Sequence, residues 1–233
     1  MKLGLLQCDS VVNELQPEFG NYPAMFIRLF QEIDPAVCVH IYDVERGEYP
    51  VTPHECDAYI TTGSKASVYE DLPWLIEFKA FLRILYVEKI KLVGICFGHQ
   101  LIAEVFGGKT EKSDKGWGVG VSVNRVIEYK SWMQPSLDTL QIIVSHQDQV
   151  TRLPDDAQLL VTSDFCPNYM YQLGESMLAL QGHPEFSKSY AKKLMYFREN
   201  KIGGETFRTG LNSLQRETNE KVFAQWLLNF FKT

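Results

Sequence analysis

Cys96 stands midway between two glycines in Leu92-Val93-Gly94-Ile95-Cys96-Phe97-Gly98-His99-Gln100, where an apolar run ends and helix-forming sequence begins. Glycine at i−2 and i+2 permits a tight strand-to-helix turn with the helix packed close on the strand, so the residue at the apex stands clear of the backbone. A thiol placed there meets the N–H groups that open the helix. Their partial positive charge favours the thiolate, the form that attacks a carbonyl carbon. A lone cysteine is more often a small buried hydrophobe; the glycine frame is what marks Cys96 as a nucleophile.

Attack on an amide also needs a proton donor for the departing nitrogen, and imidazole titrates in the right range. Of the five histidines, His40 and His54 fall in an early strand and loop and His99 runs along the helix after the elbow, so these three read as structural. His146, in Ser145-His146-Gln147-Asp148-Gln149-Val150, sits in a polar loop after a strand, and its sequence leaves open whether it lines a pocket or faces water. His183 is better placed. It lies in Gln181-Gly182-His183-Pro184-Glu185-Phe186, between an apolar strand and a helix capped by Ser187, and loops at strand ends are where α/β proteins carry chemistry. If Pro184 keeps this segment extended, side chains at i and i+2 project to one side. Glu185 then accepts a hydrogen bond from the imidazole, fixing its tautomer and stabilising the imidazolium. The negative oxygen formed on attack needs donors as well. The N–H of Phe97 is the natural first one, and a second is expected from the strand exit Thr61-Thr62-Gly63-Ser64.

The elements that must hold these groups alternate through the first half. Strands are expected at Lys2 to Cys8, Val37 to Val44, Ala58 to Thr61 and Leu92 to Cys96, with helices at Pro23 to Ile33, Pro73 to Glu88 and His99 to Phe106, a pattern that builds a parallel sheet. The second half reads as close-set strands, Gly118 to Ile127, Gln141 to Val144, Gln158 to Thr162, Tyr169 to Leu173 and Met177 to Gln181, for which antiparallel pairing is expected. Helices follow at Ser187 to Arg198 and near Ser213 to Phe231. Between them Asn200 to Gly210, with three glycines and several charges, reads as a mobile surface loop. Gly116-Trp117-Gly118-Val119-Gly120 has dinucleotide-like glycine spacing, but strand-patterned sequence follows where a helix would be required, so it reads as architecture.

The chain has 233 residues, 45% of them hydrophobic and 22% charged, which suits a globular protein and excludes disorder, collagen and coiled coil. One domain over residues 1–233 is expected. With 29 acidic and 23 basic side chains the formal charge is −6, and no basic run follows a phosphate backbone, so nucleic acid is not expected as a partner. The amino terminus turns polar after six residues, too early for a secretory leader, and the greasiest stretch, Leu72 to Val87, is interrupted by charges; a cytoplasmic protein that crosses no membrane is expected. Five scattered cysteines never spaced as Cys-x-x-Cys suggest neither a disulfide framework nor a zinc site.

Taken together, Gly94 to Gln100, Thr62-Gly63-Ser64 and Gly182-His183-Pro184-Glu185 resemble the class I, or triad, glutamine amidotransferases, in particular the amidotransferase domain of guanylate synthetase and its stand-alone relatives. The likeness runs from about Ala58 to Glu185, with three motifs in the family's order. It implies a flavodoxin-like α/β fold with a mostly parallel central sheet and an added antiparallel region. It further implies Cys96 as nucleophile with His183 and Glu185 completing the triad, and an oxyanion hole from the amides of Gly63 and Phe97. Ser64, Gln100 and the Ser145-His146-Gln147 segment are implied to hold the glutamine-like part of the substrate, and no metal or organic cofactor is required. Synthetases of this kind pair such a domain with an ATP-using one, yet no Gly-x-x-x-x-Gly-Lys loop occurs here. Three readings follow: a glutaminase supplying ammonia to a separate synthetase, a stand-alone γ-glutamyl peptidase, or a non-catalytic component of a partner enzyme.

Overall fold

The computed structural model describes residues 1–233. In chain order the elements are β1 (Lys2–Gln7), α1 (Gln16–Phe19), α2 (Tyr22–Gln31), β2 (Cys38–Asp43), β3 (Ala58–Thr61), α3 (Pro73–Val87), β4 (Lys91–Ile95), α4 (Phe97–Val105), β5 (Lys109–Lys112), β6 (Gly118–Val126), β7 (Thr139–His146), β8 (Asp148–Arg152), β9 (Ala157–Thr162), β10 (Met170–Leu173), β11 (Met177–Leu180), α5 (Lys188–Phe197), α6 (Glu199–Ile202), α7 (Gly204–Ser213) and α8 (Glu220–Phe230). Nine strands form one sheet in the order β2-β1-β3-β4-β11-β10-β9-β6-β7, and β5 pairs with β8 in a small second sheet. The pairs from β2 to β11 are parallel. Those from β11 to β7 are antiparallel.

Strands buried on both faces must supply apolar side chains to two cores. In β11, Leu178 and Leu180 enter one core, while Met177 and Ala179 enter the other. The first core is roofed by α2 and α8 through Phe26, Phe30, Phe223, Trp226, Leu227 and Phe230. The second lies under α3 and α4, with Leu75, Phe78, Leu82, Leu101 and Ile102. A third cluster seats α5 and α7 on β6 and β7 through Tyr190, Leu194, Phe207, Val121 and Ile143.

Most expected elements are present within a few residues of their expected bounds, and Ser187 caps α5 by accepting from the Tyr190 N–H at 3.1 Å. Three expectations are corrected here. Asn200 to Gly210 is not a loop: it contains most of α6 and α7, and α7 is held because Gly210 lies against Val119 of β6 and Met195 of α5. The expected last helix from Ser213 is divided, with α7 ending at Ser213 and α8 starting at Glu220. His146 also lies in no loop; it is the last residue of β7, two residues before β8 begins.

Since Leu178 is fully buried at the centre of the sheet, Leu178→Ala is expected to lower unfolding stability by about 2–5 kcal/mol. Urea denaturation followed by circular dichroism measures it, and a shift in midpoint without a change of slope is the expected form.

Candidate active site

Three neighbouring parallel strands, β3, β4 and β11, end at the same edge of the sheet. Their exits deliver Gly63, Cys96 and His183 to one place. Cys96 makes the turn from β4 into α4 with φ 50° and ψ −94°, a conformation that costs a non-glycine residue about 1–3 kcal/mol. Its backbone is fixed at both ends, by the Cys96 N–H donating to the Leu180 carbonyl at 2.8 Å and by the Gln100 N–H donating to the Cys96 carbonyl at 3.1 Å. The two flanking glycines have the expected steric reason. A Cβ on Gly94 would lie 2.6 Å from the Gly98 backbone, and one on Gly98 would overlap Thr61 of β3.

Gly63 is bare for a related cause: a Cβ there would meet His183 Cε1 at 2.8 Å and Cys96 Cβ at 3.7 Å. Those two distances place the imidazole and the cysteine beside the same residue. The N–H groups of Gly63 and Phe97 enter no turn, cap or side-chain hydrogen bond. Gly63 lines the small recess that also borders Cys96 and His183.

His183 Nδ1 donates to Glu185 Oε1 at 2.7 Å, and both side chains are buried. The pair forms across a turn, with the Phe186 N–H donating to the His183 carbonyl at 3.4 Å, and not through the extended segment expected from Pro184. The imidazole is further clamped by a parallel stack on Phe186, with centroids 4.0 Å apart and planes 6° apart. Burial pulls the His183 pKa down, but the Glu185 carboxylate and then the charge of Cys96 outweigh it and raise the value to about 10. That balance favours the imidazolium form of His183.

A cavity of about 240 Å³ opens in front of Cys96. It is lined by Ser64, Gln100, Ser145, His146 and Gln147, all five of the expected substrate contacts. Gln100 has its amide nitrogen engaged by the Asp148 carbonyl at 2.9 Å and by Gln181 Oε1 at 3.1 Å. Ser64 Oγ accepts from the Ala66 N–H at 3.1 Å. A recess of about 20 Å³, enough for one water-sized group, adjoins Cys96, Gly63, His183, Phe186 and Arg198.

His146 donates through Nδ1 to the Asp148 carbonyl at 3.0 Å, and burial holds its pKa down at about 4. His99 is buried against the Asn168 carbonyl at 2.8 Å with its pKa pressed to about 3, again by burial. Both rings are neutral, which fits His99 as structural and makes His146 a neutral wall of the cavity. His40 and His54 lie away from the site, and His54 pairs with Glu88 at 3.4 Å.

Sequence reasoning did not find Gln181, Trp117, Arg198 or Lys201. Gln181 approaches Cys96 Sγ through Nε2 at 3.5 Å. Its place one residue past β11, inside the same motif as His183, was the signal that could have found it. Trp117, read as architecture, lines the cavity together with Arg198 and Lys201. Arg198 lies 53 positions past its partner Ser145, and neither cation belongs to a local motif.

The family model described as glutamine amidotransferase class-I matches residues 46–202. Gamma-glutamyl peptidase 3 of Arabidopsis thaliana is 30% identical over 194 residues, covering 80% of this chain and 76% of that protein. A glutamine-hydrolysing GMP synthase subunit of Methanosphaera stadtmanae is 31% identical over 114 residues, 48% of this chain and 61% of that one. A glutamine amidotransferase from Thermotoga maritima has the same fold, with a TM-score of 0.76 at 21% identity over 99% of this chain and 96% of its own.

The three histidine pKa values set opposite pH dependences of stability. For His183, raised from 6.5 to about 10, the contribution is complete below pH 6.5 and is lost as pH climbs through about 10. For His146 and His99, lowered to about 4 and about 3, it is complete above pH 6.5 and is lost as pH falls through those values. Urea midpoints measured across pH are expected to fall on both sides. In a nuclear magnetic resonance titration the His183 ring should not respond between roughly pH 6 and 8, and Glu185→Gln should bring its transition down toward that range.

Proposed function

The chain belongs to the class-I glutamine amidotransferase family, and we propose that it hydrolyses the γ-amide of glutamine or of a γ-glutamyl compound through a thioester on Cys96. The observation that carries this reading is the meeting, at one sheet edge, of a strained strand-end cysteine with a buried imidazolium held at 2.7 Å by a carboxylate. In the proposed reaction Cys96 Sγ attacks the γ-carbonyl carbon. The N–H groups of Gly63 and Phe97 receive the oxyanion, where one such donor lowers a barrier by about 3 kcal/mol. His183, oriented by Glu185, gives its proton to the departing nitrogen and then takes one from the water that hydrolyses the thioester. Ser64, Gln100, Ser145, His146 and Gln147 hold the glutamyl part, a role supported by their shared lining of the cavity.

Two settings for this chemistry have support from relatives. Likeness to a γ-glutamyl peptidase favours a hydrolase that works alone. Likeness to a GMP synthase subunit favours an ammonia donor to a separate synthetase. An intact cysteine, imidazolium and carboxylate argue against a non-catalytic role within a partner enzyme. Residues 1–233 act as one domain in this proposal, since strands from both halves share one sheet. No helix is long and apolar enough to cross a membrane, and five unpaired cysteines, Cys38 among them exposed, support a reducing compartment such as the cytoplasm.

Purified protein is expected to release glutamate from glutamine or from γ-glutamyl amides, and acid quenching during turnover should trap a glutamyl adduct on Cys96 visible by intact mass. Cys96→Ala should abolish both, and His183→Ala should slow adduct formation by about 100-fold or more. An adduct that survives Cys96→Ala would overturn the assignment.

A further inference from the structure

The rim of the cavity before Cys96 carries three cations, Lys65, Arg198 and Lys201, against one carboxylate, Asp148. Two of the four are already occupied. Lys65 Nζ holds the buried Asp9 carboxylate at 2.8 Å, and Asp148 Oδ2 accepts from Ser67 Oγ at 2.5 Å. Arg198 and Lys201 enter none of the ion pairs of the molecule.

Arg198, at the end of α5, is half-buried, and its position is fixed on two sides. One Nη donates to Ser145 Oγ at 2.9 Å, and the guanidinium lies 5.8 Å from the Trp117 ring centre. A guanidinium presents five N–H donors in a planar fork suited to carboxylates. Holding such a group in place without a carboxylate leaves a prepared anion site. Its location decides which anion. Arg198 borders both the main cavity and the small recess beside His183, and the departing nitrogen must lie on the His183 side because His183 protonates it.

We propose that Arg198, with Lys201 beyond it, binds a carboxylate carried by the leaving group. The preferred substrates are then γ-glutamyl amino acids or γ-glutamyl peptides, whose departing amine bears an acid, over glutamine, whose leaving group is ammonia. This rests on the reading of Cys96 and His183 as the reacting pair. The S–C bond forms first, with the carbonyl electron pair moving to the oxyanion, and collapse of that adduct breaks the C–N bond as the imidazolium proton passes to the departing amine. Water then adds to the thioester, returns a proton to His183, and frees the thiolate and glutamate.

The test compares γ-glutamyl-alanine with γ-glutamyl-alaninamide, which differ only in the leaving-group charge. Wild-type kcat/KM is expected to favour the acid by about tenfold or more, the scale of one charge-assisted hydrogen bond. Arg198→Gln should bring the ratio near one, and Arg198→Lys should restore part of it. Calorimetric binding of the same pair to the Cys96→Ser protein should show the same preference without turnover. A wild-type ratio near one overturns the proposal. So does an Arg198→Gln effect equal on acid and amide, which would place Arg198 on the α-carboxylate common to both. If the Cys96→Ser protein binds the acid over the amide while the wild type cleaves neither, the subsite stands and the hydrolytic reading falls. Cleavage without any acid preference leaves the hydrolytic reading and removes the subsite.

Discussion

The parallel pairing of β4 with β11 is the constraint from which the site follows. Leu180 stands opposite Ile95, and the Cys96 N–H closes on the Leu180 carbonyl at 2.8 Å. That register brings a cysteine and a histidine 87 positions apart in the chain to the same edge. Side chains alternate across a sheet, so a slip of one residue would send Leu178 and Leu180 into the wrong core and turn the His183 segment away. The burial of both faces of β11 therefore fixes the reactive geometry as well as the fold. Close packing behind the elbow adds a second lock, because α4 can approach β3 only with Gly98 beside Thr61.

What the sequence makes legible is what depends on neighbours in the chain. The glycine frame around Cys96 and the two-residue spacing of His183 and Glu185 are local signals, and the structure realises both contacts, although the second closes through a turn. Segments whose form depends on distant contacts read wrongly. Glycines at 203, 204 and 210 suggest a loop, yet Phe207 is buried and Gly210 allows α7 to lie against β6, so tertiary contact overrides propensity. The strands β5 and β8 are polar and short, without apolar alternation, and exist because they pair with each other. Arg198 had no motif to mark it. Its meaning appears only when α5 folds over the end of β7 and meets Ser145.

Burial of an ion pair costs desolvation, and the His183 environment shows how that cost is offset. Glu185 and Cys96 flank the ring and together raise its pKa, and Phe186 covers its face. The other buried histidines, facing carbonyls instead of carboxylates, stay neutral. The three buried imidazoles thus differ in charge according to whether the partner is an anion or a dipole. Glu185 Oε2 is buried without a hydrogen-bond partner, which adds to the desolvation cost that the imidazole offsets.

The proposed roles fall on two kinds of scaffold. Groups assigned to bond making and breaking sit on the ends of β3, β4 and β11, buried on both faces and coupled by backbone hydrogen bonds. The unpaired cations that would select a leaving group sit where α5 gives way to α6, a four-residue helix at the rim. A change at the strand ends alters the reacting geometry and with it the fold, whereas a change at the α5 terminus alters the charge of the cavity mouth and little of the core. The strand ends pack in the clusters on the two faces of the sheet and α5 packs in the third, whose Phe186 also stacks on His183. A change of charge at the α5 terminus therefore leaves the sulfur, the imidazole and the carboxylate in place as long as that stack is kept.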